Sequence, residues 1–556
     1  MLSIIFNSIL ITIFTIPFAT YLNDKNQLSF YKYTKDIIYG FIIISFLGLL
    51  INFFSPLNIY VNSIILLISF ILFIQNRKIY INHIFLKFLI FHSILISILI
   101  IKSNVYRPDA GLYHLPYIGI LNTEKIIIGL SNLHFRYGHT SIIQYFAAVS
   151  NNFVFKNNGI VFAQSIIASA VIINFAVQIF NYNKNKIYNF HFFFLLFIFI
   201  YMAYKMNRYS EYGNDAPAHF LFFFLLSEIF KNKNLINFQQ YGNQLILSLF
   251  IILNKFTLVF LVLFNLINLK LIYFKLAIFD KRIIFLFSFF FLWIIKNVLI
   301  SGCLIYPLQF TCIEKLNWTD IENTRIVQIS SEAWTKGVSN QNKDNQLSHE
   351  EFLKNFNWID AWSNIHLKLI IEIILPYLIF SLLIIFLIVN KNKKIYKKVD
   401  QIKYIYLFTI FICCLVWFLK SPLYRYGYSF IIAFFSIMFA IYCSRFNNFR
   451  SFHSKLFNSI LILSILVIVS KNFVRIYKVD SNYFNSPWPK YYSMDIKNNI
   501  TTFIKTNVND LIILTPEKGY CMYTKGVCGH YALNSEIKIL KNNSFNIFQK
   551  LKSNNN

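Results

Sequence analysis

The chain has 556 residues, of which 57% are hydrophobic, 19% aromatic and only 13% charged, and 52 Lys and Arg against 23 Asp and Glu give a formal net charge of +29. Its mean hydropathy of +0.54 exceeds what a domain with a polar surface carries, which excludes an ordinary soluble protein. The basic excess would point to nucleic acid in a soluble chain, but here it accompanies the Ile, Phe, Asn and Tyr that an AT-rich genome favours, and nucleic acid is not expected as a partner.

Apolar blocks of about 17 to 25 residues, each able to cross about 30 Å of hydrocarbon, predict transmembrane helices at 2–22, 37–54, 58–75, 84–101, 159–180, 187–204, 214–230, 282–300, 366–390, 404–419, 426–443 and 457–472. The expected fold class is therefore an all-α polytopic membrane protein of about twelve helices with a small C-terminal extramembrane domain. The first block has no basic leader and no A-x-A-like cleavage site, so it reads as a retained helix. Stretches 117–128 and 141–155 read as helices lying at the membrane surface. Segment 243–268 is interrupted by Asn254-Lys255 and reads as a broken helix or a re-entrant pair, which a membrane accepts where backbone is buried in protein or lines a wet cavity.

Basic short joints, from Lys25/Lys32/Lys35 through the run Lys391 to Lys403 to Arg445/Arg450/Lys455, are all accommodated on the cytoplasmic side. Both termini then lie outside, together with 102–140, 205–213, 301–365, 420–425 and the tail 473–556. This divides the chain into N-terminal helices 1–101, an outer loop 102–158, helices 159–300, a second outer loop 301–365, helices 366–472 and the tail. After Pro487-Trp488-Pro489 the tail alternates polar stretches with apolar runs such as Leu511-Ile-Ile-Leu514, which suggests a small α/β-like domain. Cys413, Cys414 and Cys443 fall in helices as small packing residues. Cys521 and Cys528 are a disulfide candidate outside the cytoplasm, as are Cys303 and Cys312, and no cysteine has zinc-site spacing.

Three polar stretches stand out against this apolar background. The loop Arg107-Pro-Asp-Ala-Gly-Leu-Tyr-His114 followed by Gly129-Leu-Ser-Asn-Leu-His-Phe-Arg-Tyr-Gly-His139 collects Asp109, His114, His134, Arg136 and His139. A plain connector does not need them, although exposure alone also attracts polar residues. The stretch Asn207-Arg-Tyr-Ser-Glu-Tyr-Gly-Asn-Asp215-Ala-Pro-Ala-His219 places Arg208, Glu211 and Asp215 at a helix start, where acids serve equally as first-turn residues. Ser421-Pro-Leu-Tyr-Arg-Tyr-Gly427 sets Arg425 between Tyr424 and Tyr426, suited to binding a phosphate or to anchoring at the interface. Lys255 and Lys296 lie in apolar stretches. Lys296 is near enough to a helix end to snorkel, so Lys255 is the better functional candidate. All three stretches fall on one side of the expected topology.

The residues Asp109-x-Gly-Leu-Tyr-His114, Gly-Leu-x-Asn-Leu-His134-x-Arg136-x-Gly138, Ser301-Gly-x-x-x-Tyr-Pro307 and Pro422-x-x-Arg425-Tyr-Gly427 resemble a family of uncharacterised bacterial multi-pass proteins. That family is similar in layout to the GT-C superfamily of membrane glycosyltransferases. The resemblance implies an enzyme of the bacterial inner membrane that transfers a sugar from a polyprenyl-phosphate carrier to a glycan or lipid acceptor at the outer face. Asp109 maps by position onto the GT-C catalytic base, and Glu211 or Asp215 onto a second acidic motif. In most GT-C enzymes the acidic loop follows the first helix, whereas here it follows four expected helices.

The chemistry asks for these residue types. A carboxylate deprotonates the acceptor hydroxyl as it attacks the anomeric carbon, giving inversion, and Arg425, Arg136 or Lys255 stabilise the departing phosphate. His114, His134, His139, Arg208 and Tyr424 are further candidates for donor binding. A divalent Mg or Mn held by Asp109 and Asp215 is compatible with this chemistry and not required by it. The competing readings are a transporter or flippase of a lipid-linked glycan, for which Asn254-Lys255 is the sole broken-helix feature, a glycan polymerase, and a scaffold without chemistry.

Overall fold

Polar residues at the joints between apolar blocks start the helices. Ser29, Asn58, Asn82, Asn189 and Asp280 each accept a hydrogen bond from a backbone N–H of the first turn that follows, satisfying donors that the helix cannot, at about 1 kcal/mol each. The computed structural model describes residues 1–22, 28–103, 108–139, 141–206, 212–231, 238–269, 280–341, 346–390, 399–446, 449, 451–479, 486–491, 502–508, 511–529, 537–542 and 545–550. Arg107, Arg208 and Glu211 lie outside the described residues.

Among the described residues nine helices are long and apolar enough to cross a bilayer: Leu2–Tyr21, Phe30–Asn52, His83–Ile100, Lys156–Lys184, Lys281–Ser301, Ile359–Asn390, Ile402–Lys420, Tyr424–Cys443 and Ser451–Lys478. The chain is a multi-pass helical membrane protein. The count falls below the twelve expected because three apolar blocks form shorter helices, Ile59–Gln75, Phe190–Lys205 and Asp215–Lys231, of 17, 16 and 17 residues. At 1.5 Å per residue these reach only about 24 to 26 Å.

Burial sorts the bundle into a centre and a rim. Helix Lys156–Lys184 is 83% buried along its most apolar window, whereas Ile402–Lys420 and Ser451–Lys478 are 28% buried there. Every residue from Phe190 to Ala203 is buried. A helix apolar on all sides is stable when packed all round by protein, and this Phe-rich helix lies at the centre together with Asp215–Lys231, buried from Pro217 to Phe230. Lys296 is completely buried, so it does not snorkel to the interface as expected.

The stretches expected at the membrane surface are interior. Leu115–Thr123 has eight of its nine residues buried, and every residue of Ile143–Val149 is buried. They are covered because Phe146 stacks on Phe41 at 3.8 Å between ring centroids and because the tail lies over the preceding loop. The Asn254-Lys255 interruption is a break in the helix: Phe238–Asn254 ends, Lys255 is extended, and a 3-10 turn Phe256–Leu261 leads into Val262–Ile267.

The described residues of the tail form the small C-terminal region expected, and they carry its strands. Among its described residues after Lys478 there are strands and no helix, with apolar residues two apart at Ile537/Ile539 and Phe545/Ile547. Strand β1 (Phe503–Val508) runs antiparallel to β2 (Leu511–Pro516), which pairs in parallel with β3 (Val527–Cys528). Strands β4 (Ile537–Asn542) and β5 (Phe545–Lys550) form a hairpin. The hairpin is stitched to the first polar loop: Ile128 N–H donates to the Asn546 carbonyl at 3.0 Å, and Phe548 N–H donates to the Ile128 carbonyl at 2.9 Å.

Candidate functional site

Asp109 immediately precedes a single π turn, Ala110–His114, that runs into helix Leu115–Thr123. Such turns widen the helix locally and occur often at functional sites. Arg136 lies on a short 3-10 segment, Phe135–His139, and its backbone N–H donates to Nδ1 of His134 at 3.2 Å. Asp215 opens the central helix Asp215–Lys231, Lys255 sits at the break described above, and Arg425 is in the first turn of Tyr424–Cys443. Five ionisable residues from five separate parts of the chain thereby reach one place.

Arg425 is the hub. Its Nη1 donates to Oδ2 of Asp109 at 3.1 Å, and its Nε lies 3.9 Å from Oδ2 of Asp215. Arg136 Nη1 donates to the other Asp109 oxygen, also at 3.1 Å. Lys255 Nζ donates to Oδ1 of Asp215 and to the Arg425 carbonyl, the latter at 3.1 Å. That carbonyl also lies 2.9 Å from Nε2 of His219, whose Nδ1 is 2.7 Å from the Ser429 hydroxyl. A carbonyl can only accept, so Nε2 carries the proton and Nδ1 accepts from Ser429. The backbone of Arg425 is thus gripped from two sides while its guanidinium faces the two acids.

Aromatic rings wall the cluster. The Arg425 guanidinium lies 5.3 Å from the ring centroids of Trp334 and Tyr426, Lys255 Nζ is 4.4 Å from that of Tyr426, and Arg136 is 5.2 Å from that of Tyr113. Each is a cation–π contact. His114 is buried behind Asp109, with Nδ1 3.1 Å from the Gln144 amide nitrogen. Burial pushes its imidazole pKa down to about 4, against the pull of Asp109 and Asp215. It is therefore neutral, and Nδ1 accepts from Gln144.

Not every candidate joins the cluster. His134 serves the backbone of Arg136, and exposed His139 packs edge-on against Tyr306 at 5.1 Å. Tyr424 turns away, its hydroxyl bonded to that of Tyr201. Trp334 and Gln144 lie outside the polar stretches, whereas Tyr113 falls within the first of them. Tyr426 and His219 stand inside the other two, and their neighbours Arg425 and Asp215 were the available signal.

The donor set fits an anion better than a metal. Asp109 and Asp215, the residues that would hold a metal if one bound, already face cations, and among the described residues no three His, Cys, Asp or Glu side chains gather as a metal site. Three cations against two carboxylates leave one positive charge in excess. Asp109 and Asp215 remain 26% and 24% exposed, and Arg136 and Arg425 33% and 35%, so an anion from outside can reach the guanidinium groups. The structure also joins Cys521 to Cys528 and Cys303 to Cys312.

Residues 1–432 match the family described as a domain of unknown function, DUF8201. All five residues of the ionic cluster fall within the matched region, and the strands of the tail lie beyond it. No curated protein and no solved structure matches the chain.

Proposed function

The chain belongs to the DUF8201 family, and for this member we propose a glycosyltransferase that moves a sugar from a polyprenyl-phosphate donor to a glycan or lipid acceptor at the outer face of the bacterial inner membrane. The observation that carries this reading is Arg425 held between Asp109 and Asp215, with Arg136 and Lys255 completing an accessible cluster in excess of positive charge. Arg groups recognise phosphate through paired hydrogen bonds. A donor phosphate competes with Asp109 for Arg136 and Arg425, so donor binding frees that carboxylate beside the bound sugar. Asp109 then takes the proton of the acceptor hydroxyl as its oxygen bonds to the anomeric carbon. The bond from that carbon to the phosphate oxygen breaks, and polyprenyl phosphate leaves with its charge held by the same cations. One displacement gives inversion, and no step calls on a metal.

The GT-C-like layout and the outward orientation are part of the proposal. Counting the three shorter helices as crossings gives twelve and puts both termini on the side opposite the basic joints. Two disulfides, one beside the cluster in the tail and one after Ser301, fit an oxidising outer compartment. A second reading, a flippase of a lipid-linked glycan, draws on the helix broken at Lys255 with its ammonium paired to Asp215.

The test is transfer from a panel of radiolabelled polyprenyl-phosphate sugars in membranes carrying wild-type protein or Asp109→Asn, with folded protein matched by gel filtration. Wild-type transfer that falls about a hundredfold or more in the variant is expected for loss of a general base. Equal transfer by both removes Asp109 from the chemistry. No transfer from any donor, with accelerated movement of the donor across vesicles, replaces the transferase with the flippase.

A further inference from the structure

Loop 520–528 of the tail touches both halves of the first polar loop. Met522 N–H donates to the Gly111 carbonyl at 3.0 Å, two residues beyond Asp109. The Tyr523 hydroxyl donates to Oδ1 of Asn122 at 3.1 Å and accepts from Asn151 at 2.9 Å, which ties the loop to the helix that continues from the π turn. At the other end the Cys528 carbonyl accepts from the hydroxyl of Tyr137, the residue after Arg136. The disulfide Cys521–Cys528 closes the loop between these two anchor points.

The fit is close enough to have selected glycine. A Cβ on Gly111 would lie 2.6 Å from the Tyr520 Cβ, and one on Gly119 would lie 2.0 Å from the Thr524 carbonyl oxygen. Asp109 and Arg136 sit on separate segments joined by a long excursion of chain, and the closed loop is bonded to both segments, at Gly111 and at Tyr137. Catalytic groups misplaced by about 1 Å lose about a hundredfold in rate, so an element that fixes this separation controls the reaction without touching substrate.

We propose that loop 520–528 is a clamp that sets the spacing of Asp109 and Arg136, with Tyr137, Met522 and Tyr523 as positioning residues. The catalytic consequence rests on the transferase reading above; the mechanical one does not. The family match ends at residue 432, so the clamp adds a function to a part of the chain that the match leaves out.

The experiment uses the full-length protein in nanodiscs and compares wild type with Cys521→Ser/Cys528→Ser and with Tyr137→Phe/Tyr523→Phe. Hydrogen exchange is read on peptides covering 108–123, 134–139 and 451–478, beside kcat and KM for transfer. Release of the clamp is expected to speed exchange in the first two peptides about tenfold and lower kcat about tenfold. KM and exchange in 451–478 stay within about twofold. Unchanged exchange in 108–123 and 134–139, while 520–528 itself exchanges faster, overturns the clamp, as does faster exchange with unchanged kcat. Faster exchange in a protein whose wild type transfers no sugar keeps the mechanical clamp and sinks the transferase reading instead. If the serine variant does not fold, phosphine reduction of the folded protein in a Cys303→Ala/Cys312→Ala background provides the same comparison.

Discussion

One central helix carries an acid near each end, and the two acids have different surroundings. Asp215 opens helix Asp215–Lys231 and Glu228 lies close to its other end, about 20 Å away at 1.5 Å per residue. Glu228 is 5% exposed; it accepts from the Tyr31 hydroxyl at 2.6 Å and from Lys35 Nζ at 2.9 Å, and the Lys231 ammonium lies 3.4 Å from the centroid of the Tyr31 ring. Asp36, the residue after Lys35, is 2% exposed and paired with Lys32 at 3.0 Å. The partners at this end close over the acids. At the Asp215 end the same residue types meet, but the carboxylates and guanidinium groups stay about a quarter to a third exposed. Charge pairing alone therefore does not distinguish a lock from a site; access does.

If this contrast is right, substitutions at the open end should cost activity and substitutions at the closed end should cost stability. The largest effect is expected for Arg425→Lys. Lysine keeps the charge but cannot reach Asp109 and Asp215 together through a rigid fork. Transfer per folded molecule should fall about a hundredfold, equivalent to about 2.7 kcal/mol of transition-state stabilisation, with an unchanged unfolding midpoint in detergent. Full activity in this variant would reduce the open cluster to another ion-pair lock.

Glu228→Gln probes the other end. It leaves Lys35 without its carboxylate, and because Lys35 is 21% exposed and reaches water, the cost is below that of a fully buried orphan charge, about 2 kcal/mol. Thermal unfolding in detergent should shift downward while transfer per folded molecule is unchanged. A loss of transfer without a loss of stability would break the contrast from the closed side.

The contrast was half legible in the sequence. In a chain with so few charges, Asp109, Arg136, Asp215, Lys255 and Arg425 stand out as polar residues that a helix joint does not need, and the structure brings these five together. Side-chain direction was not legible. His134, His139 and Tyr424 share the same stretches yet serve a backbone amide and neighbouring rings, because one residue along a turn decides which way a side chain points. Trp334 comes from another segment altogether, and only tertiary packing lays it over Arg425. The glycines of the first loop looked like part of a motif for chemistry. Gly111 is instead where the Tyr520 and Met522 side chains of the tail pack, and Gly119, outside that motif, is where the Thr524 backbone approaches; nothing in the sequence joined the tail to that loop. Lys35 reads in the sequence only as part of a basic joint and Glu228 does not stand out at all, because pairing between distant helices leaves no local pattern.

A milder effect is expected from pH. His114 stands behind Asp109 with its imidazole pKa pushed down to about 4 by burial, below the ordinary value of about 6.5 that it regains on unfolding. The unfolded chain therefore binds the proton first. The stability this histidine contributes is complete above about pH 6.5 and drains away as pH falls towards 4, at up to about 1.4 kcal/mol per pH unit. His114→Gln removes the titrating group, so unfolding midpoints of wild type and variant should draw together between pH 6.5 and 4, the wild type losing more. Parallel curves would mean that water reaches His114 in the folded protein, and that the open end of the bundle extends behind Asp109 as well as in front of it.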